Sequence, residues 1–302
     1  MPDYGEIWTQ RATTSKAWWA VAMSSDGSRQ TAVIYGDYIW ASTDYGATWT
    51  QQNSLSKIWT GVAMSSDGKY QTATTFDSYI YTSSDYGVTW TQRDNQRSWR
   101  GVAMSSDGSK QTAVIQDDYI YTSPDYGVTW IQQNGSGSRQ WIAVAMSSDG
   151  SIQTAVVNAP YIYTSPDYGV TWTQRATSKA WNGVAMSSDG SKQTAVSLLG
   201  YIWASTDYGV TWIQQGKLLK NWYSVAMSSD GKYQTATTLG SYIYTSSDYG
   251  VIWTQRAIIC WGNDVAMSSD GSKQTAVMMD GYIYTSNIDV SIGIGLALGC
   301  NW

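Results

Sequence analysis

The chain has 302 residues, a length at which repeat architectures run as one unit. Its 18 basic and 23 acidic side chains give a net charge of −5, which offers no basic face for nucleic acid. It has no histidine and Glu6 is its only glutamate, so a Ser-His-Asp triad is excluded and a zinc site is disfavoured.

The chain opens on the polar stretch MPDYGEIWTQ, which does not read as a secretion signal. Next comes VAMSS from Val21, which faces QTAV across Asp26-Gly27. Asp-Gly between two such runs is a hairpin signal, because glycine tolerates positive φ. Five variable residues follow, then a run such as YIYTS, then S-x-D-Y-G-x-T-W, then TQ and a variable linker. The whole phrase then starts again. VAMSSDG begins at Val21, Val62, Val102, Val144, Val184, Val225 and Val265, in steps of 40 to 42 residues.

Each unit holds four short strands and three hairpins, with no helical period. This predicts an all-β fold with one antiparallel sheet per unit, arranged radially as a seven-bladed β-propeller. The last unit departs from the phrase after residue 287, while residues 2–10 supply its missing half. The expected organisation is one propeller over residues 1–287. Its seventh blade is a composite of 261–287 and 3–11, which closes the ring and leaves no bare blade edge. Residues 288–302 form an apolar tail that alternates large and small residues, a strand pattern. The tail is read as an extra strand, a cap or a contact for an assembly partner. Its longest apolar stretch is too short for a membrane-spanning helix.

The repeated phrase STDYGATW (42–49), SSDYGVTW (83–90), SPDYGVTW (123–130 and 165–172), STDYGVTW (205–212) and SSDYGVIW (246–253) resembles the Asp-box, or bacterial neuraminidase repeat. That family includes sialidases, other glycoside hydrolases, sortilin-type receptors and photosystem II assembly factors. The resemblance implies a hairpin lock. Asp44, Asp85, Asp125, Asp167, Asp207 and Asp248, with Asp3 in the split copy, would accept bonds from turn amides. Glycine would supply the left-handed position. Trp8, Trp49, Trp90, Trp130, Trp172, Trp212 and Trp253 would pack between sheets. These roles are structural, not catalytic or calcium-binding.

A second tryptophan stands three residues before each VAM, as Trp18, Trp59, Trp99, Trp141, Trp181 and Trp222; Trp261 stands four before. Its regularity predicts packing between blades. The first strand of each unit is expected to line the channel. The Asp-Gly turns and the boxes then share one face, while the variable tips and linkers share the other. Next to the repeated tryptophans, near the variable mouth, come Trp19, Thr60, Arg100, Ile142, Asn182, Tyr223 and Gly262.

Loops on a rigid scaffold are where binding usually lives, although tips that tolerate drift would vary too. The ligand candidates on this face are Trp19, Tyr35, Arg100, Asp117, Asp118, Asn182, Tyr223 and Asp264. Aromatic rings beside hydroxyls and amides suit a carbohydrate or a protein segment. The box tyrosines Tyr4, Tyr45, Tyr86, Tyr126, Tyr168, Tyr208 and Tyr249 form a second, repeated set. They could act by avidity or simply be exposed turn residues.

A sialidase needs an arginine cluster and a tyrosine–glutamate pair. Only Arg100 lies on an expected inner strand, and Glu6 lies on the other face. A general glycosidase needs two opposed carboxylates, and Asp117 and Asp118 are neighbours on one tip. The sequence therefore reads as a non-enzyme without cofactor or metal. It is expected to be a binding propeller for a carbohydrate or protein ligand. The alternative is a structural component or assembly factor of a larger complex, with the tail as contact; the basic patch of the photosystem II factors has no clear match. Cys260 and Cys300 both fall on the variable face and are expected to pair. A disulfide would favour an extracellular setting; otherwise the compartment stays open.

Overall fold

The computed structural model describes residues 4–11, 14–52, 55–158, 161–175, 179–279 and 281–287, with backbone alone for 257–260. Asp3, the tail 288–302 and the Cys260–Cys300 pairing lie outside the described residues.

Each unit folds as a four-stranded antiparallel sheet. The second shows the pattern: Lys57–Met64, Gln71–Thr75, Ser78–Ser83 and Thr91–Arg97 run from the channel outward. Val62 stands opposite Ala73, Thr72 opposite Thr82, and Tyr81 opposite Gln92. The first turn is closed at Gly68, with φ of 78°. The Asp67 carboxylate holds it by accepting bonds from the Ser65 hydroxyl (2.6 Å) and the Lys69 amide (2.9 Å). A side chain at Gly68 would also strike Arg29 of the preceding sheet. No helix among the described residues is long and apolar enough to cross a membrane.

Numbering the sheets by their inner strands, the first six begin with Trp18–Met23, Lys57–Met64, Trp99–Met104, Arg139–Met146, Trp181–Met186 and Trp222–Met227. The seventh uses the end of Thr254–Met267. Two belts of hydrogen bonds close these sheets into a ring. In the first, the Ser25 amide donates to the Ser66 carbonyl, Ser66 to Ser106, and so on to Ser269, which donates back to Ser25; every bond is 2.8 Å. In the second, a buried threonine hydroxyl of each sheet donates to the glutamine Oε1 of the next. Examples are Thr31 to Gln71 at 2.8 Å and Thr112 to Gln153 at 2.8 Å, and Thr275 returns to Gln30 at 2.7 Å. Each bond satisfies polar groups that burial would otherwise penalise by about 1–3 kcal/mol.

The first strand of the chain, Thr9–Gln10, pairs with Ile283–Asn287 as the outermost strand of the seventh sheet, Thr9 opposite Thr285. Arg11 Nε adds a bond of 2.8 Å to the Thr285 hydroxyl.

The core lies between neighbouring sheets. Trp59 packs on Ala20, Val33 and Ile39 of the first sheet and on Ala73 and Tyr81 of its own. Its ring meets Tyr81 edge-on at 5.3 Å, and its Nε1 donates to the Asp37 carbonyl at 2.9 Å. Trp18, Trp99, Trp141, Trp181 and Trp222 repeat this placement, and all six rings are at most 1 % exposed.

Trp261 breaks the series and is 60 % exposed. Each of the first six inner strands carries a register shift just after its tryptophan, as between Trp18 and Ala20, and the seventh carries it after Gly262. In the seventh sheet the extra residue places Gly262 opposite Met278, where the first sheet has Trp18 opposite Ile34. Two expectations are corrected by this. Trp261 is turned out instead of packing between sheets, and Asn263, not Gly262, is the equivalent of Trp19.

Candidate functional site

The residue inside each register shift faces the channel cavity. Trp19, Thr60, Arg100, Ile142, Asn182, Tyr223 and Asn263 thereby form the top tier of a cavity of about 230 Å³ at the variable mouth. Below them come Ala20, Gly61, Gly101, Ala143, Gly183, Ser224 and Asp264, then Val62, Val102, Val144, Val184 and Val225. The second tier is small because the inner strands come close together. A Cβ on Gly183 would lie 3.0 Å from the Tyr223 carbonyl of the next strand.

Three residues of the top tier are brackets between strands. Thr60 Oγ1 donates to the Trp99 carbonyl (2.7 Å), Asn182 Nδ2 to the Tyr223 carbonyl (2.7 Å) and Asn263 Nδ2 to the Trp18 carbonyl (3.0 Å). Asp264 is also a bracket. Its carboxylate accepts the Ser224 hydroxyl at 2.6 Å and the Val21 amide at 3.0 Å, so it ties the sixth sheet to the first through the seventh.

Trp19, Arg100, Ile142 and Tyr223 remain for a ligand. Trp19 stacks against Tyr35 at 5.2 Å, so Tyr35, 47 % exposed, extends the aromatic surface outward from the mouth. Arg100 Nε is buried and has no hydrogen-bond partner among the described residues. Burial pushes the Tyr223 phenol up, against the opposing pull of the Arg100 charge.

Asp117 and Asp118 do not line this cavity. They end the strand Gln111–Asp118. Asp118 accepts Arg97 Nη1 at 3.3 Å and the Tyr119 amide at 2.8 Å, and Asp117 holds Ser138 through its carbonyl at 3.0 Å. Sequence reasoning passed over the exposed apolar side chains of the same face. Leu55, Leu199, Leu219 and Trp261 are each about 60 % exposed or more. The available signal was apolar residues inside variable tips and linkers.

On the opposite face five boxes are locked in the same way, and the sixth lacks only the hydroxyl bond, because Ile252 replaces the threonine. In the first, Asp44 accepts the Ser42 hydroxyl (2.7 Å), the Thr48 amide (2.9 Å) and the Thr48 hydroxyl (2.6 Å), and Trp49 Nε1 reaches the Gly46 carbonyl at 3.0 Å. Trp49 in turn packs on Trp18 at 6.2 Å. The left-handed position is double: Tyr45 at φ 61° precedes Gly46 at 78°. The box tyrosines rest on side chains of the preceding sheet. Arg29 lies over Tyr86 at 4.3 Å, Tyr70 meets Tyr126 at 4.4 Å, and Lys273 lies over Tyr45 at 5.7 Å. These rings join sheets as well as facing solvent.

Asp44 and Asp189 in the repeated turns and Asp264 at the channel are shifted in opposite senses. Desolvation alone would raise Asp44, but the Thr48 hydroxyl and amide and the Ser42 hydroxyl hold it below its ordinary value. The Ser187 hydroxyl and the Ser191 amide and hydroxyl bring Asp189 down to about 2. Asp264, walled in at the channel, is instead pushed up to about 6 by desolvation. A lowered carboxylate contributes stability above its unfolded value of about 4 and loses it as the pH falls through its folded value. A raised one does the reverse, so the folded state loses stability through Asp264 as the pH climbs from about 4 to about 6. Asp264→Asn is therefore expected to gain on the wild type in urea midpoint across that window. A gap that stays constant with pH would refute the raised value.

Among the described residues no group of three His, Cys, Asp or Glu side chains is placed to hold a metal ion. The BNR-Asp box repeat family matches residues 80–92, the second box. Compared by sequence with curated proteins, the chain matches none. Among solved structures it is similar to YCF48 from Cyanidioschyzon merolae. The two share 14 % identity at a TM-score of 0.74, over 93 % of this chain and 98 % of that one. It is also similar to YCF48 bound to D1 peptide, with 16 % identity and a TM-score of 0.73 over 96 % of this chain and 100 % of that one. At that identity the likeness establishes fold. With the repeat match at the second box and the hydrogen-bonded boxes, it describes a β-propeller that carries Asp-box repeats.

Proposed function

We propose that the chain is a protein-binding propeller, of the kind that serves as an assembly factor, and that it holds a peptide segment at the variable mouth of the channel. The observation that carries this reading is Arg100. It lines the channel cavity together with Trp19 and Tyr223, and its Nε is buried and without a partner among the described residues. A buried donor without a partner is costly, and a carboxylate matches a guanidinium in charge and shape. An acidic side chain or a chain terminus entering the mouth would meet it, while flanking apolar residues would lie on Trp19 and Tyr35. A solved relative in fold that binds a peptide supports a peptide over a sugar here.

The test is a pair of arrays, one of acidic and neutral peptides and one of glycans, probed with the wild type and with Arg100→Ala. Acidic peptides are expected to bind and to lose about thirtyfold in affinity in the variant, since removing one partner of a buried charge pair costs about 2 kcal/mol or more. Arg100→Lys is expected to recover only part of that, because it lacks the fork. Retention of glycans alone would replace this reading with a lectin. Peptide binding that ignores Arg100 would move the site elsewhere.

A further inference from the structure

The opposite mouth of the channel presents a different chemistry. Side chains of a strand alternate in direction, so along each inner strand the variable residue, the valine and the methionine share the channel side. The seven methionines of the Val-Ala-Met triplets, from Met23 to Met267, consequently make one tier. With the serines that follow them they line a single cavity of about 290 Å³, and each is half-buried.

The carboxylates and the backbone amides at this tier are already engaged. The Asp26 carboxylate is turned into its own hairpin by the Ser24 hydroxyl at 2.6 Å and the Ser28 amide at 3.0 Å, and its equivalents are held alike. The Ser25 amide and the amides equivalent to it donate to the inter-sheet belt. Met267 Sδ accepts a weak bond from the Tyr4 hydroxyl at 3.5 Å. Beside the serine oxygens, the cavity offers seven neutral, polarisable thioethers on flexible stems.

We infer that this methionine tier binds a soft monovalent cation of the Cu(I) or Ag(I) class. Thioethers select such ions over the harder divalent ones. Monovalency follows from the same donors, since neutral sulfur supplies no charge to balance a second positive one. Three rotatable bonds per side chain let neighbouring sulfurs close on one ion. The site is separate from the variable mouth and does not depend on the peptide reading.

The experiment uses the full chain with both cysteines alkylated, so that thiolates do not bind the probe. Ag(I), which needs no reductant, is titrated by calorimetry, and Cu(I) is titrated in competition with bicinchoninate. Saturable binding is expected, unchanged across the neutral pH range because thioethers do not titrate there. Arg100→Ala is expected to keep it. A variant with Leu at all seven positions is expected to lose it, Met to Leu being close to volume-conserving. If that variant fails to fold, peroxide treatment of the wild type gives the answer. Bound Ag(I) is expected to protect the seven tier methionines from sulfoxide formation, as read by peptide mass. Absence of saturable binding, binding that survives in the leucine variant, or unprotected tier methionines would each overturn the assignment.

Discussion

Trp59→Ala is expected to destabilise the protein by about 3–5 kcal/mol, and Trp261→Ala by no more than about 0.5 kcal/mol. Each is the tryptophan that precedes the Val-Ala-Met triplet of its unit, but Trp261 stands one residue out of register, so the contrast isolates environment. Trp59 is fully buried between the first and second sheets. Removing it leaves a cavity beside Ala20, Val33 and Ile39, breaks the edge-on contact with Tyr81 and strands the Asp37 carbonyl. The aromatic contact alone contributes about 0.5–1.5 kcal/mol. Trp261 has one added residue behind it and stands 60 % exposed, so its loss opens nothing. Urea midpoints of the two variants measure the difference. Equal losses would mean that Trp261 is packed like the others.

Deleting residues 1–11 is expected to lower the thermal midpoint and to make the protein self-associate. The deletion strips the pairing partner from Ile283–Asn287 and leaves a row of bare backbone donors and acceptors, the usual template for edge-to-edge association. It also removes Trp8, which packs against the cluster of Ile243, Val265, Ala276 and Met278. The Thr245 hydroxyl would lose its bond to the Tyr4 carbonyl at 3.1 Å. A synthetic peptide of residues 3–11 is expected to restore both the midpoint and the monomer, because it can re-form the same ladder from outside. Light scattering and thermal unfolding report both effects. A truncated chain that stays monomeric at an unchanged midpoint would show that the first strand is dispensable.

The sheets and their radial order were legible because each strand signal recurs with the same turn chemistry. Asp-Gly marks the first hairpin, and the box marks the third. The mouth was half legible. Residues after the repeated tryptophan do converge, but their register depends on a backbone irregularity that no side chain announces. That is why the seventh unit was misaligned by one and Trp261 was grouped with the buried rings. Asp264 and Asn182 look like ligand residues in a sequence, since a polar side chain at a channel mouth suggests contact with a partner. Only coordinates reveal that each is engaged by a neighbouring strand. Arg100 is the opposite case. Its residue type alone drew attention, and its buried surroundings give the reason.

The serine belt bears on how such a sequence can change over generations. Near-identical tandem units invite the loss or gain of a copy when a gene is replicated. A linear stack would absorb that by growing or shrinking at one end. Here Ser269 must find Ser25, and Thr275 must find Gln30. An eighth unit or a missing seventh would change the angle between every pair of sheets and stretch all the bonds of both belts at once. Circular closure thus acts as a counting device, keeping the number of units fixed while each unit's tip and linker are free to diverge.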